Sequence, residues 1–540
     1  MTGPREPEPD EIPFADIEPD EAEPPPDGLT LECTDVRNAE RLVELHGADL
    51  RFVGTWQKWI AWDGARWALD EKSAAMSHAK DTARVIAEEA EAELGAARTA
   101  LEAIMPDGLK DPKRAIEFGV PKDRARKLEA AAARFKRAET MRRWAQTSQM
   151  DPRLHAMVDV AKPALAITHT ELDADPMLLN VANGTIDLRT GMLGPHKREN
   201  LCTKLAPVSF DPEAPRARFE RFIDEVCNLD LELVAFLKVF LGYCLTGDTR
   251  EHIFAFWYGT GGNGKSVLAN IVMRIMGEYA IKTMPDLVFR SEKSEKHETD
   301  IAHLHGRRLA FCNETKQGRT LDDGRIKDLT GADQITARRM REDPWSWIPT
   351  HKLVLFGQYK PTLKTVDGGM RRRTKLVPFA AKFEGAAIDR ELEPKLFAEA
   401  PGVLAWLVAG CVKWQAHGIP ACKAVDVATG DYFREEDTIG QFFDGECVFA
   451  PDVKITRKAL HEAYVSWSKD RGDERPVSAR AFAQGVKDRG AVQRQVRTEK
   501  GPRDGWAGVR LLNSGEADAR EQEQPELPGA HLSHEPTRYG

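Results

Sequence analysis

The chain has 540 residues, 41% of them hydrophobic and 30% charged, so it is long enough for two to four folded domains. No apolar run approaches the roughly 20 residues that cross a bilayer, and an acidic, proline-rich start is unlike a signal peptide, so we expect a cytoplasmic protein without a membrane partner. The eight cysteines form no CxxC pair, which disfavours a disulfide framework or a zinc ribbon.

Both ends of the chain are acidic. Residues 1–27 hold ten acidic residues and one arginine, which gives this segment a charge of −9. The whole chain also has a net charge of −9, so the other residues together are neutral. Proline, like charge and few apolar groups cannot offset the entropy of ordering, so we expect disordered tails at 1–28 and 513–540. For the first of them a solvated tail is favoured over a partner-binding segment.

Residues 29–215 are expected to form a mostly helical α+β domain. The helical pattern of NAERLVELHG precedes an aromatic-rich stretch around Asp63-Gly64 that is typical of a β-hairpin. Its four tryptophans fit a core better than a base-stacking platform. Long exposed helices are predicted over residues 72–147, with a break at 106–113. Short β-like runs around Asn183-Gly184 then predict a small hairpin module.

Helices predicted over residues 216–246 lead into the most informative stretch, residues 252–277 (HIFAFWYGTGGNGKSVLANIVMRIMG). A short apolar run ending at Tyr258 predicts a buried strand, and the apolar residues after Ser266 recur at helical spacing. Between them lies a GxxxxGK[ST] match in the strand–loop–helix context that the motif requires. Backbone N–H groups of such a loop surround a polyphosphate, Lys265 reaches the β- and γ-phosphates, and the Ser266 hydroxyl ligates Mg²⁺. We therefore predict a site for ATP and Mg²⁺ formed by Gly259, Thr260, Gly261, Gly262, Asn263, Gly264, Lys265 and Ser266.

Two further buried strands end in polar residues suited to nucleotide hydrolysis. The run Leu309–Cys312 leads to Asn313 and Glu314, and an acid at this position can hold a Mg²⁺-bound water or orient the attacking water. The run LVLFG ends at Gln358, whose amide can sense the γ-phosphate. Arginines 371–373 then precede an apolar run ending at Phe379, and an arginine there can reach the nucleotide of a neighbouring subunit.

Between those two strands, alternation at residues 334–337 and 345–348 predicts a hairpin with a charged tip. Arginines at a hairpin tip are suited to contact a phosphate backbone, so Arg338, Arg339 and Arg341 are candidate DNA-binding residues.

Residues 431–512 read as a helix-rich stretch that ends in a helix and two strand-like runs around a Gly501-Pro502 turn. This order is that of a winged-helix-like DNA-binding domain. Residues 451–511 carry fourteen Lys and Arg against eight Asp and Glu, which favours nucleic-acid contact over a merely solvated face.

The series GTGGNGKS, LAFCNE, KDLTGADQITARR, KLVLFGQYKP and RRRTKLVPF resembles superfamily 3 helicases. More narrowly, it is similar to the phage and plasmid primase-helicase family related to the poxvirus nucleoside triphosphatase, and the likeness covers roughly residues 35–420. It implies an α/β ATPase domain over residues 216–425, with an AAA+-like phosphate loop and a parallel sheet flanked by helices. It also implies a hexameric ring that moves on single-stranded DNA. By position, Arg373 matches the family's arginine best, and Arg372 is the second choice.

Three departures from the family pattern stand out. Asn313 occupies a position that often carries an acid, the sensor amide is Gln358 rather than asparagine, and no paired carboxylate and histidine set for priming is seen before residue 180. The leading hypothesis is an ATP-driven helicase for phage, prophage or plasmid replication. Its partners would be single-stranded or forked DNA, further copies of the chain and replication proteins of the host. The alternatives are an ATP-switched origin-binding initiator or loader, and a primase-helicase with an unrecognised priming site.

Overall fold

The computed structural model describes residues 33–105, 112–117, 121–290, 298–314, 316–338, 344–363, 366–385, 388–472, 476–513 and 516. The predicted tail at 1–28 and nearly all of the one at 513–540 lie outside these ranges. The chain divides into two compact units, the first comprising residues up to 174 with 201–203 and the second residues 175–200 and those from 204 onward.

The first unit contains five helices and a small sheet within its described residues. They are α1 (Asp35–His46), β1 (Leu50–Val53), β2 (Lys58–Trp62), β3 (Trp67–Leu69), α2 (Ala74–Glu102), α3 (Pro112–Glu117), α4 (Lys122–Ser148), α5 (Asp151–Ala161) and β4 (Ala166–Ile167).

The hairpin predicted around Asp63-Gly64 is confirmed, since β2 and β3 pair antiparallel with Trp62 opposite Trp67. The side chain of Trp67 is 1% exposed, as a core residue would be. The long helices are confirmed as α2 and α4, which pack against each other and bury small side chains such as Ala90 and Ala138. Small residues allow two helices to approach closely. Residues 106–111 of the predicted break lie outside the described ranges.

The second unit holds the remaining elements. They are β5 (Leu178–Val181), β6 (Gly184–Asp187), β7 (Met192–Gly194), α6 (Ala217–Val226), α7 (Leu231–Cys244), β8 (Phe254–Tyr258), α8 (Lys265–Met276), β9 (Ala280–Thr283), α9 (Glu298–Ala302), β10 (Leu309–Glu314), α10 (Asp323–Thr330), β11 (Ile335–Ala337), β12 (Trp345–Trp347), β13 (Lys352–Gly357), α11 (Gly368–Arg373), β14 (Thr374–Pro378), α12 (Leu392–Ala398), α13 (Ala400–His417), α14 (Lys423–Glu436), α15 (Thr438–Glu446), β15 (Cys447–Val448), β16 (Lys454–Thr456), α16 (Arg457–Asp470), α17 (Ala479–Asp488), β17 (Val492–Thr498), β18 (Gly501–Ala507) and β19 (Arg510–Leu511).

A five-stranded parallel sheet forms the centre of the second unit. Its strand order is β14-β8-β13-β10-β9. Four of these strands are the predicted ones. The edge strand β9 was not predicted, because its sequence AIKT is short and partly exposed and has no apolar run. The chain runs from β8 to the far edge, returns through β10 and β13, and then places β14 on the other side of β8. Such a change of direction marks a switch point, where open α/β sheets bind ligands at the carboxyl ends of their strands.

The small sheet β5-β6-β7 shares a hydrophobic core with the helices that flank the central sheet. Leu179 and Ile186 are fully buried in the same cluster as Phe219 of α6 and Trp406 of α13. The backbone N–H of Asn180 also donates to the hydroxyl of Tyr279 at 3.1 Å. The division between the two compact units therefore falls at residue 174. The domain boundary at residue 215 stays a prediction from the sequence.

The carboxyl-terminal elements have their own aromatic core, which includes Phe442, Tyr464, Phe482 and Trp506. Helix α17 is followed by the antiparallel pair β17 and β18, in the predicted order, and β16 pairs with the other edge of β18. The tight turn lies between Thr498 and Gly501 instead of at Gly501-Pro502, because these two residues already pair within β18.

Within the described residues, no single helix is long and apolar enough to cross a membrane. The pair α12 and α13, bent by 72°, meets the length and composition criterion only when taken together.

Candidate nucleotide-binding site

The glycine-rich loop joins the end of β8 to the start of α8, at the carboxyl edge of the central sheet. Strand β8 is buried because its residues FAFWY contact core on both faces. Helix α8 then begins at Lys265, so the backbone N–H groups of its first turn lack helical partners. Together with the positive end of the helix dipole, these groups favour an anion above the loop.

Lys265 lies at the base of this loop and is only 5% exposed. Its Nζ donates to the carbonyl oxygen of Gly259 at 2.7 Å and to Oδ1 of Asn263 at 2.8 Å. Burial lowers the pKa of Lys265 from 10.5 to about 8. Both of these acceptors are neutral, and no carboxylate described in the structure pairs with this ammonium group. An anionic ligand would supply the missing opposite charge.

Close approach explains the glycine at position 259. A Cβ there would stand 2.2 Å from Nδ2 of Asn263 and 2.4 Å from the carbonyl oxygen of Phe379. The same Asn263 nitrogen donates to that carbonyl oxygen at 3.1 Å. Gly261 has a φ of +97°, and a Cβ on it would meet the side-chain amide of Gln358 at 3.0 Å. The loop is therefore shaped by contacts with the segments that follow β13 and β14.

A cavity of about 400 Å³ opens beside the loop. It is lined by the described loop residues from Gly261 to Val267, by Asn313 at the end of β10, and by Phe356, Gly357 and Gln358 at the end of β13. Ser266 and Gln358 are exposed, and Asn313 is half-buried. The volume falls in the range of small-molecule sites, roughly 300–1,000 Å³.

The strand register brings the predicted hydrolytic residues to the edge where the loop lies. Glu314 pairs with Gly357, which in turn pairs with Tyr258, the residue just before the loop. Glu314 is thus two strands from the loop, about 10 Å at the usual strand spacing. Only its backbone position is described. The contacts of its side chain stay a prediction.

The arginine cluster lies at the other end of the sheet. Arg373 directly precedes β14, whose first residue pairs with Phe254 at the start of β8. The loop follows the opposite end of β8, four residues or about 13 Å away. Arg373 is half-buried and donates to a carbonyl oxygen of its own helix at 3.3 Å, while Nε has no partner within the described residues. Arg371 and Arg372 are exposed.

The hairpin predicted between the strands now labelled β10 and β13 is present as β11 and β12, which pair antiparallel with Thr336 opposite Ser346. Arg338 is exposed at its rim. Arg339 and Arg341 lie outside the described residues. Helix α10 leads directly into β11, and its Lys327 forms an ion pair with Asp367, whose Oδ1 accepts from Met370 N and so caps α11. The hairpin is therefore linked to α11, which carries the three arginines and is called the arginine helix below.

Sequence reasoning missed the segment after β14, which encloses the loop through its backbone. The N–H of Phe379 donates to the carbonyl oxygen of Tyr258 at 2.7 Å, and that of Phe383 donates to Gly262 at 2.8 Å. Backbone contacts carry no residue signature, so the sequence offered no signal for them. It also gave no sign that Phe222 and Val226 of α6 pack against the loop at Gly264.

Comparisons with known proteins cover most of the folded chain. The family described as D5 N terminal like matches residues 39–228, and a family of unknown function (DUF5906) matches residues 257–373. A candidate helicase of Acanthamoeba polyphaga mimivirus is 26% identical over 322 residues, which make up 55% of this chain and 33% of that protein.

A candidate primase of African swine fever virus is 28% identical over 324 residues, covering 55% of this chain and 34% of that protein. A candidate helicase of frog virus 3 is 24% identical over 384 residues and is covered to 39% of its length. The chain thus spans about a third of the length of these curated relatives. Among solved structures, the C-terminal region of NrS-1 aligns with 56% of this chain and 78% of its own, at 12% identity and a TM-score of 0.38.

Proposed function

We propose that this chain, which is similar to proteins of the phage and viral primase-helicase family, is an ATP-dependent DNA helicase acting in phage, prophage or plasmid replication. The relatives named above are candidate helicases and a candidate primase, which supports a role in DNA replication. The unwinding activity and its energy source are our inference from the site.

One observation carries the proposal. A buried lysine, Lys265, has only neutral partners among the described residues and lies at the base of a cavity of about 400 Å³ beside a glycine-rich helix N-terminus. A cation and a set of backbone donors converge there, and no carboxylate in the described part of the chain pairs with the cation. A nucleoside triphosphate carried with Mg²⁺ fits this donor set, with Ser266 at the mouth as the hydroxyl ligand of the metal.

Hydrolysis then depends on polar groups at the ends of β10 and β13. Glu314 would orient and deprotonate the attacking water, a task that Asn313 beside it cannot perform because an amide is not a base. Gln358, whose amide lies over Gly261, would register whether a γ-phosphate is present. Both roles use the carboxyl edge of the sheet, where the loop also lies.

A shared site between subunits accounts for the arginine helix. Since Arg373 lies by the start of β8, it is too far from the loop of its own chain to reach a nucleotide there. We infer that it serves the site of a neighbouring copy, with Arg372 as the second candidate. A head-to-tail contact of this kind must close into a ring or continue as a filament. A hexameric ring is the form that we propose.

DNA would pass the hairpin formed by β11 and β12. The ion pair between Lys327 and Asp367 links the helix that precedes this hairpin to the arginine helix. A change at the shared nucleotide site can therefore move the hairpin, whose arginines Arg338, Arg339 and Arg341 would contact phosphates. Such contacts hold any sequence alike, as movement along a strand requires.

Strand displacement tests the proposal. The full chain is mixed with forks that carry a 5′ tail, a 3′ tail or both, with ATP and with a non-hydrolysable analogue. A helicase releases the annealed strand only with hydrolysable ATP. Binding to the forks without release at any ATP concentration would contradict this function and favour the origin-binding initiator or loader.

A further inference from the structure

A pocket in the carboxyl-terminal part of the chain lies between α16, α17 and β18, far along the sequence from the glycine-rich loop. Its volume is about 360 Å³. We propose that this pocket binds one nucleotide of single-stranded DNA, with the phosphate at its cationic rim and the base against its apolar floor. The inference deepens the proposed function and rests on it, because it names a second place where the chain holds the strand.

The rim of the pocket is built from hydrogen-bond donors and cations. Arg457 and Lys458 form the first turn of α16, whose N-cap Thr456 accepts from the N–H of Ala459 at 3.2 Å. Helix α17 begins at Ala479, which also lines the pocket. Two helix N-termini therefore meet at one opening, and both favour an anion.

The cations of the rim are available to a ligand. Arg457 and Arg503 have no ion pair within the described residues, and Lys458 has only a long contact of 3.6 Å with the exposed Glu462. Asp504 is the one carboxylate in the lining, so the positive groups outnumber it. Its oxygens can accept from the N3–H of thymine or from the amino groups of the other bases. A phosphodiester is the anion that fits such a rim.

Two polar ring atoms in the lining lack partners. Trp506 is 1% exposed, and its Nε1 has no hydrogen-bond acceptor within the described part of the chain. Nε2 of His461 is likewise buried without a partner. Buried polar groups in native proteins are nearly always satisfied, by protein, by water or by a ligand. Both nitrogens are covered by protein, so a nucleotide in the pocket would reach them only if the rings shift.

The floor of the pocket is aromatic. Phe482 lies against the ring of His461 at 5.4 Å between centroids and is itself buried, as is Ala483 beside it. Bases of single strands stack on such surfaces with little regard to sequence. A base in a duplex is paired and stacked and would have to leave the helix to enter a concave pocket. The geometry therefore favours single-stranded over duplex DNA.

The test uses the full-length chain carrying Lys265→Ala, without ATP, so that ATP turnover plays no part. A fluorescein-labelled oligothymidylate is titrated over a range of salt concentrations, monitored by anisotropy. The pocket variant is Arg457→Ala with Lys458→Ala. The matched control is Lys469→Ala with Lys487→Ala, which removes two exposed lysines from the last turns of α16 and α17.

For single strands the salt slope is about 0.7 per phosphate contact, so losing the one phosphate contact of the rim should lower the slope by about 0.7. At about 0.1 M salt this corresponds to a loss of affinity of about fivefold. The control should bind within about twofold of the parent chain. Equal losses in both variants would mean a diffuse charge effect and would overturn the pocket.

A third variant, Ala479→Trp, fills the exposed mouth without changing charge. It should weaken oligothymidylate binding about tenfold and leave the salt slope intact, since the phosphate contacts remain. Unchanged affinity for oligothymidylate would contradict the proposal.

Inorganic phosphate at matched ionic strength should not compete with oligothymidylate for the pocket. Competition would show a free-anion site instead of a nucleotide site.

An oligonucleotide with 5-iodouracil locates the base, because this group crosslinks to aromatic side chains on irradiation. The expected adducts are on His461, Phe482 or Trp506. Adducts elsewhere only would overturn the pocket even if strand displacement by the active chain is intact. Adducts here in a chain that displaces no strand would uphold the pocket and refute the helicase.

Discussion

The affinity of the loop for ATP should depend on pH, because the apo site buries a lysine. Burial lowers the pKa of Lys265 from 10.5 to about 8. A triphosphate binds the ammonium form, since the opposite charges stabilise each other, so binding raises this pKa again. Above pH 8 the empty site has lost its proton and must take one up when MgATP binds.

The size of the effect follows from linkage. The dissociation constant is multiplied by 1 + 10 raised to the power (pH − pKa), so it is flat well below pH 8 and rises about tenfold per unit above it. At about pH 9 the loss of affinity is about 11-fold, or about 1.4 kcal/mol.

The lowered pKa of Lys265 also affects the stability of the chain in the absence of ATP. Since the unfolded chain holds this proton more tightly, the free energy of unfolding should rise as the pH goes from about 8 towards 10.5.

Calorimetric titration with MgATP between neutral pH and about pH 9.5 measures this dependence directly. Near pH 9, runs in buffers of different ionisation enthalpy should report the uptake of nearly one proton per ATP. Lys265→Arg is the matched control, because a guanidinium stays protonated throughout this range and its curve should be flat. A flat curve for the wild-type chain, or proton release, would refute the assignment of Lys265 to the phosphates.

Three further predictions concern the other candidate residues. Glu314→Gln should retain ATP binding in a filter assay but hydrolyse it on the order of 10²-fold more slowly, and turnover within a few-fold of wild type would move the base elsewhere. Inactive Lys265→Ala and Arg373→Ala chains, once mixed and shown by sizing to co-assemble, should regain part of the ATPase activity; no recovery would argue against a site shared between subunits. Arg339→Ala with Arg341→Ala should weaken DNA binding at all sequences and reduce the salt slope by about 1.4 while basal ATPase persists, and a joint loss would indicate a structural role.

The local structure of the glycine-rich loop could be predicted from the sequence because its geometry depends on residue type. Glycines at 259 and 261 are needed for close approach and for positive φ, and both leave a visible spacing before Lys265. The buried strands on either side are equally visible as apolar runs. Edge strand β9 is not, because a strand paired on one side and partly exposed needs no apolar run.

Contacts between distant segments could not be predicted in the same way. The backbone of Phe383 reaches Gly262 across more than a hundred residues, and any residue type could make that hydrogen bond. The boundary at 174 has a similar origin. Alternating apolar residues such as Leu179 and Ile186 indicate a buried face, but periodicity does not say which core covers it. The group that Arg373 contacts could not be predicted either, because the sequence does not say which segment or which copy of the chain lies beside it.

ATP turnover stimulated by single-stranded DNA, in wild type and in two lysine variants, tests the central claim most directly. Lys265→Ala removes the buried cation at the base of the loop, whereas Lys282→Ala removes an exposed one from β9 of the same sheet. We predict that turnover collapses in the first variant and stays near the wild-type rate in the second, with circular dichroism unchanged in both. Near wild-type turnover by Lys265→Ala would contradict the account, because hydrolysis would then occur somewhere other than this loop.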